Sequence, residues 1–178
     1  MKKKLRAILI TSSVAALLLI IISMSMNAQN TGIEPVKNFD INKYKGLWYE
    51  IARFDHSFER GMTNVTATYT DRPDGKITVL NKGIKDGIEK SVTGKAKLKD
   101  DSGTGFLKVS FFWFFYADYI IFYLDNNYEC ALVTSSSKDY LWILSRKPNL
   151  TNDTKEKLLS IAKSKGFDTE MLIWVKQD

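Results

Sequence analysis

Short strand-like segments separated by turns run through the chain from Leu47 onward, and they constrain the fold more than any other feature. Eight candidate strands recur at intervals of about 8–12 residues. In chain order they read WYEIARF, NVTATYT, KITVLNKG, KSVTGKAKL, FLKVSFF, YIIFYLD, ECALVTS and DYLWILSR. Tight turns such as DRPDG and KDG separate them. This spacing predicts an all-β sandwich or barrel.

One segment near the C-terminus has the pattern of a helix instead. The stretch TNDTKEKLLSIAKSKGF carries apolar residues at helical spacing, namely Leu158, Ile161 and Ala162. Thr151 or Asn152 is the predicted N-cap, and Gly166 is the predicted stop. We expect the apolar face of this helix to cover Leu141 and Ile143 on the outer wall of the eighth strand. The following MLIWV is interpreted as a last short strand.

The first 28 residues have the layout of a secretory signal peptide. MKKKLR is cationic, the next stretch is apolar and uncharged, and small or polar residues surround Ala28. Two alternatives stay open, cleavage after Ala28 or retention as an uncleaved N-terminal anchor, because the apolar run is about as long as a bilayer span requires. We therefore predict a signal peptide or anchor over residues 1–28, a loose leader over 29–38, and one domain over 39–178.

Charge and cysteine content narrow the function classes. The chain has a formal net charge of +6, but four of its 26 basic residues and none of its 20 acidic residues lie in residues 1–28. The remainder carries +2, so a nucleic-acid partner loses its main support. Cys130 is the only cysteine, so the domain has no internal disulfide and the N-terminal segment has no lipobox cysteine. We expect Cys130 to be a small hydrophobic residue on a strand.

Three segments in order resemble the signatures of one known family. They are GLWYE at residues 46–50, DNNYECALV at residues 125–133 and YLWILSRKP at residues 140–148. Together with the helix after the last strand, they resemble the lipocalins. GLWYEIARFDHSFERG and VTATY are especially similar to the bacterial lipocalin and apolipoprotein D branch. The resemblance covers about residues 36–176, nearly all of the chain after the signal segment.

The resemblance implies both a fold and a function. The fold is an all-β, eight-stranded antiparallel up-and-down β-barrel around a ligand cavity, with one C-terminal α-helix packed on the barrel wall. The function is non-enzymatic binding, storage or transport of fatty acids, lysophospholipids or similar hydrophobic ligands, without a cofactor. Bacterial members are often outer-membrane lipoproteins, so we expect an exported protein in the periplasm or at the outer membrane. The resemblance also places three structural residues at the closed end of the barrel: Gly46, Trp48 and Arg146.

Alternate side chains of each strand predict the cavity wall, because every second residue of a barrel strand faces inward. The sixth strand is left unassigned, since the sequence does not define its register. The predicted ligand-contacting residues on the second, third, fifth and eighth strands are Val65, Ala67, Tyr69, Ile77, Val79, Asn81, Leu107, Val109, Phe111, Tyr140, Trp142 and Leu144.

The run FFWFFY at residues 111–116 is predicted to lie at the open mouth. In an up-and-down barrel the links after strands one, three, five and seven share one rim, and this run includes the link after strand five. The predicted mouth residues are Phe58, Met62, Phe112, Trp113, Phe114, Phe115 and Tyr116. Two interpretations stay open. The aromatic residues fold over and cap the cavity, or they form a lip that contacts a membrane or a second subunit.

Few polar residues are candidates for metal binding, catalysis or head-group binding. His56 is the only histidine and has no neighbouring cluster of ligating residues, so we predict no metal site. A lipid-modifying enzyme built on the barrel is an alternative, with His56 and Cys130 as its candidate residues. An interaction module that dimerises through the aromatic run is another. Candidates for an anionic head group at the mouth are Arg53, Arg60, Lys82 and Lys85.

Overall fold

The computed structural model describes residues 31–178, so the prediction for residues 1–28 lies outside the described residues. The strands are β1 Gly46–Arg53, β2 Thr63–Asp71, β3 Ile77–Lys85, β4 Ile88–Leu98, β5 Phe106–Phe112, β6 Phe115–Leu124, β7 Cys130–Thr134, β8 Leu141–Ser145 and β9 Ile173–Trp174. The helices are α1 Ile41–Tyr44, α2 Asn152–Ser164 and a 3₁₀ turn Thr169–Met171. Asp40 caps α1 by accepting a hydrogen bond from the Asn42 backbone N–H.

Strands β1 to β8 form a closed antiparallel barrel. Each strand pairs with the next along the chain, and β1 pairs with both β2 and β8. Trp48 lies opposite Ala67 on one side of β1, and Tyr49 lies opposite Ser145 on the other. The predicted eight-stranded up-and-down barrel is confirmed.

Helix α2 packs on the outer wall, as the sequence predicted. Its side chains Leu158 and Ala162 are buried in one cluster with Leu141 and Ile143 of β8, and Ile161 packs against that cluster. Thr151 is the N-cap and accepts a hydrogen bond from the Thr154 backbone N–H. Gly166 follows the helix at φ +82°, a conformation that glycine adopts without a steric penalty.

The C-terminal segment completes the barrel between β1 and β2. These two strands pair only from Gly46 to Tyr49 on the β1 side, and β9 pairs with Ala52 and Arg53 farther along β1. The side-chain amide of Gln177 then donates to the backbone carbonyls of two residues on facing strands, Glu50 at 2.7 Å and Val65 at 2.9 Å. Residues 173–178 therefore bridge the gap where β1 and β2 separate.

The segment before α1 is packed against the barrel, which differs from the loose leader expected from its polar composition. Ile33 and Phe122 are buried in the same cluster as Leu141 and Leu158, on the outer wall of the barrel, which we call the outer cluster. The Val36 backbone N–H donates to the Ile121 carbonyl at 2.8 Å, and Lys37 forms a bridge with Thr104. Hydrogen bonds to backbone groups of β6 and of the β4–β5 link hold the segment in place. Within residues 31–178, no helix is long and apolar enough to cross a bilayer.

Candidate functional site: the barrel interior and its mouth

The closed end of the barrel is sealed by Trp48 and Arg146. The guanidinium carbon of Arg146 lies 3.9 Å from the centre of the Trp48 ring, which is a cation–π contact. Trp48 is fully buried, and its indole N–H donates to the Tyr44 carbonyl at 2.8 Å. Arg146 also donates from its side chain to the backbone carbonyls of Lys43, Tyr44, Lys45, Leu47 and Tyr128.

Gly46 is required beside this pair. Its φ is +99°, and a Cβ at this position would lie 3.3 Å from the Arg146 side chain. A larger residue would strain the backbone and press on the guanidinium. The three residues assigned to the closed end by resemblance therefore meet in the structure.

Most of the predicted cavity wall lines one interior cluster. Its predicted members are Tyr69, Ile77, Val79, Leu107, Val109 and Leu144, with Ala67 and Trp142 packed against them. The structure adds interior residues that sequence reasoning missed, namely Tyr44, Ala96, Tyr119, Ile121, Ala131 and Val133. Those on β6 were missed because both faces of that strand are apolar, and because its pairing with β7 shifts register between Ile121 and Tyr123.

The other four predicted wall residues lie outside this cluster. Val65 is buried near Met62, and both side chains approach Gly83 on β3. The buried Asn81 side-chain oxygen has no hydrogen-bond partner among the described residues. The remaining two lie toward the mouth. Phe111 packs over Gly94 and is partly exposed, and Tyr140 precedes β8 and stacks on Trp142 at 5.7 Å.

The interior is open to solvent from the mouth. Ala67, Trp142 and Tyr119 belong to the interior cluster yet are only partly buried. Val92 lies opposite Asn81 in the sheet, on the inward side, and is exposed. Because these side chains point into the barrel, the solvent that reaches them enters through its open end. The barrel therefore has a packed base and an accessible upper interior.

Three tyrosine hydroxyl groups meet inside the barrel near its base. Tyr69 donates a hydrogen bond to the Tyr119 oxygen at 2.9 Å, and the hydroxyl oxygens of Tyr44 and Tyr119 lie 2.7 Å apart. Burial raises the pKa of Tyr69 to about 12 and raises the pKa values of Tyr44 and Tyr119 well above their usual range. All three phenols are therefore neutral at physiological pH.

Glu50 and Arg53 of β1 form a buried ionic network with Glu59 of the β1–β2 link. Arg53 is only 1% exposed and donates to the Glu50 carboxylate at 2.7 Å and to the Glu59 carbonyl at 2.6 Å. Burial and the Glu59 charge raise the pKa of Glu50 well above its usual range. Burial also acts to raise the pKa of Glu59, but the neighbouring His56 and Arg53 outweigh it, so that pKa is lowered. The pKa values of these two carboxyl groups are therefore displaced in opposite directions.

His56 completes this network and connects it to the mouth. Its Nε2 atom lies 3.1 Å from a Glu59 carboxylate oxygen, and its ring stacks on Phe58 at 3.9 Å. The same ring lies 5.4 Å from Trp142 and 6.0 Å from Tyr140. The β1–β2 link is therefore held against the residues of β8 and its preceding turn by ring contacts.

The predicted cationic rim is only partly present. Arg53 was expected at the rim, but its side chain points into the barrel. It is buried there and donates two hydrogen bonds. Arg60 is exposed and pairs with Asp55, which lowers the pKa of that carboxyl. Lys82 is exposed and pairs with Glu89, and Lys85 is partly buried at the end of β3. The sequence could not distinguish Arg53 from the others, because one of its two partners, the Glu59 carbonyl, comes from the folded link.

The aromatic run forms the tip of a tight hairpin. Trp113 and Phe114 make the turn between β5 and β6, and they are 75% and 68% exposed. Phe112 stacks on Trp113, and Phe115 packs against Phe114. The expectation that Phe115 and Tyr116 belong to the link was wrong, because β6 already begins at Phe115.

Tyr116 also lies on a different face from the one expected. Its ring lies near the ammonium groups of Lys95 and Lys97 on β4, at 5.6 Å and 5.2 Å. These lysines alternate with the buried Gly94 and Ala96, so they point outward. Tyr116 is therefore on the outer wall below the hairpin tip, beside two cationic side chains.

The residues considered for chemistry lie in separate environments. Cys130 is buried in the outer cluster, where burial raises the pKa of its thiol. His56 lies within the ionic network on the opposite side of the sheet. Within residues 31–178, no three histidine, cysteine, aspartate or glutamate side chains come together as a metal site.

A family model for a lipocalin-like domain matches residues 39–177. The chain belongs to the lipocalin family. The outer membrane lipoprotein Blc of Citrobacter freundii is 46% identical over 97% of this chain and 98% of its own length. Blc of Escherichia coli K12 is 44% identical over 95% and 96% of the two chains. Apolipoprotein D of Macaca fascicularis is 33% identical over 80% and 79%, so the chain lies in the bacterial lipocalin and apolipoprotein D branch.

Solved structures show the same fold at low sequence identity. Insecticyanin from the tobacco hornworm Manduca sexta superposes on this lipocalin with a TM-score of 0.67 at 20% identity, covering 82% of this chain and 85% of that chain. Lobster apocrustacyanin A1 superposes with a TM-score of 0.63 at 22% identity, covering 82% and 91%. At these identities both likenesses show the fold alone.

Proposed function

We propose that this lipocalin binds, stores or transports lipids or other hydrophobic ligands inside its barrel, without a covalent step. The observation that carries the proposal is an interior lined by apolar side chains that is partly reached by solvent above a packed base. Each methylene transferred from water to such an interior contributes about 0.8 kcal/mol, so an acyl chain gains affinity without any catalytic group. Fatty acids and lysophospholipids are the ligands of matching shape.

The cell envelope is the proposed location. Two of the relatives are named outer membrane lipoproteins, and their similarity extends over nearly the whole of this chain. The predicted export segment supports the same location. Cys130, the only cysteine of the sequence, lies in β7.

Ligand binding is tested on protein isolated from cell envelopes. Organic extraction followed by mass spectrometry identifies lipids that copurify, and the delipidated protein is titrated with the neutral fluorescent probe N-phenyl-1-naphthylamine. We expect copurifying lipid, saturable probe binding and displacement of the probe by fatty acids or lysophospholipids. Absence of both copurifying lipid and saturable binding would refute the proposal. Intact function in both the Cys130→Ser and the His56→Ala variants would exclude catalysis through these residues.

We further propose that the hairpin tip contacts a membrane surface. Trp113 and Phe114 are too exposed to serve as a cap over the interior, and exposed clustered aromatic residues mark contacts with lipid or protein. Lys95 and Lys97 lie beside Tyr116 on the adjoining outer wall, where they suit the anionic phosphates of a lipid surface. Contact there would place the barrel mouth at the source of its ligand.

A further inference from the structure

The three interior tyrosines have a hydrogen-bond arrangement with a chemical consequence. The Tyr119 oxygen lies within hydrogen-bond distance of the hydroxyl groups of both Tyr44 and Tyr69. Tyr44 and Tyr69 are almost wholly buried, whereas Tyr119 is only partly buried and faces the accessible interior. The cluster therefore joins two almost wholly buried tyrosines to one whose side chain is partly exposed toward the barrel interior.

Counting the hydroxyl protons shows which O–H group has no acceptor within the cluster. Three O–H groups share two contacts, so one O–H has no acceptor within the cluster. Tyr69 donates to Tyr119. If Tyr119 donated to Tyr44, the O–H of fully buried Tyr44 would lack any acceptor among residues 31–178, which is costly. Tyr44 therefore donates as well, and the unused O–H belongs to Tyr119.

This arrangement limits what Tyr119 can recognise. Both acceptor positions on its oxygen are taken by the neighbouring tyrosines, so its hydroxyl can only donate. Burial and the negative charge of Glu59 both raise the pKa of the adjacent Tyr69, so the surroundings disfavour an anion. A carboxylate without a cationic partner would also be costly to bury. The matching group is an uncharged oxygen acceptor, such as a carbonyl or an ether.

We infer that Tyr119 is a specificity-determining residue that selects ligands carrying an uncharged acceptor oxygen on the end inserted into the barrel. The inference rests on the proposed function, because it requires that ligands enter the interior. Chains with a ketone or ester carbonyl at the buried end are preferred over hydrocarbon chains of the same shape. The preference arises from one hydrogen bond that a methylene group cannot accept.

The test compares two probes of matched shape, 2-tridecanone and 2-methyl-1-tridecene, in which a methylene group replaces the carbonyl oxygen. Each displaces N-phenyl-1-naphthylamine from the delipidated protein and from its Tyr119→Phe variant. We expect Tyr119→Phe to reduce affinity for the ketone relative to the alkene by about fivefold, the worth of one net hydrogen bond. Comparing the ratio between proteins cancels the different water solubilities of the two probes.

Tyr123→Phe is the matched control, because Tyr123 is on the same strand but packs against the outer cluster. It should leave the ketone-to-alkene ratio unchanged. An equal loss for both probes in Tyr119→Phe, or no change in the ratio, overturns the inference while the proposed function stands. Failure of the unmodified protein to bind any of the probes refutes the proposed function and the inference with it.

A second variant gives an independent readout. Tyr69→Phe removes one donor to Tyr119 and opens an acceptor position on its oxygen. The alcohol 2-tridecanol, which can donate, should then gain about fivefold over 2-tridecanone relative to the unmodified protein. No gain for the alcohol contradicts the hydrogen-bond assignment, even if Tyr119→Phe does not fold.

Discussion

At the scale of single residues, the contact between Trp48 and Arg146 seals the base of the barrel. The sequence contains the two residues 98 positions apart, and the structure stacks them at 3.9 Å. Arg146 cannot be replaced by lysine without loss, because its planar group donates to several backbone carbonyls that a single ammonium group cannot all reach. The pair thus joins the link before β1 to the end of β8.

Trp48→Ala should lower the free energy of unfolding by about 3–5 kcal/mol, because it empties a fully buried site and removes the stacking partner of Arg146. Urea denaturation measures the change. Trp113→Ala, at a largely exposed tryptophan, is the control and should have a small effect. Equal stability of Trp48→Ala and the unmodified protein would contradict this placement of Trp48.

The interior tyrosines predict a loss of stability at alkaline pH. The pKa of Tyr69 is about 12 in the folded protein, against an unperturbed value of about 10. Its stabilising contribution is therefore complete below pH 10 and is lost as pH rises through about 12, since only the unfolded chain ionises in between. Unfolding in urea at a series of pH values above about 9 should show the decline. The Tyr69→Phe variant should reduce its slope by about 1.4 kcal/mol per pH unit, and an unchanged slope would contradict the assignment.

At the scale of elements, the C-terminal segment closes a gap that the eight strands leave. β1 and β2 share a short pairing, and the second half of β1 pairs with β9 instead. The Asn64 backbone N–H donates to the Lys176 carbonyl, which ties the same segment to β2. A two-residue strand therefore contributes to barrel closure far more than its length indicates.

Gln177→Ala should destabilise the protein by about 1–3 kcal/mol, because its amide donates two hydrogen bonds to carbonyls on facing strands. Urea denaturation gives the free energy, and amide hydrogen exchange should quicken in β1 and β2. Lys176→Ala is the neighbouring control, since its side chain is exposed and makes only a surface ion pair with Asp178. Equal effects of the two substitutions would contradict the bridging role of Gln177.

At the scale of the whole molecule, the barrel has a sealed end and an open end with different surfaces. Trp48 and Arg146 lie at the base, whereas Trp113 and Phe114 project from the hairpin tip at the other end. Buried contacts at the closed end contribute to the free energy of unfolding, whereas the tip is largely exposed. Substitutions at the tip should therefore leave the barrel folded. This separation allows membrane contact to be tested apart from folding.

Replacing Trp113 and Phe114 with serine should weaken binding to anionic liposomes severalfold while leaving the melting temperature nearly unchanged, because both side chains are largely exposed. Liposome cosedimentation measures the first effect and circular dichroism the second. Lys163→Ser, at an exposed position on α2, is a control on the barrel wall. A large fall in melting temperature would place the tip in the core, and a change of oligomeric state by light scattering would identify it as a subunit contact.

Features that depend on neighbouring residues could be predicted from the sequence alone. Alternation within strands predicted the interior positions Tyr69, Val79 and Leu107, and helical spacing predicted the face of α2 that covers Leu141. Turn residues marked the strand ends, although the β6 boundary was placed too late. These features were readable because side-chain periodicity and turn conformation are local properties of the backbone.

Features that depend on strand register and on distant partners became visible in the folded barrel. Bulges and two apolar faces concealed the inward side of β6, and with it Tyr119. Arg53 looked like a rim residue until the folded β1–β2 link brought the Glu59 carbonyl to it. Closure by Gln177 joins positions more than a hundred residues apart. The physical reason is that a polar group's partner in a barrel is set by strand pairing, which local sequence patterns do not specify.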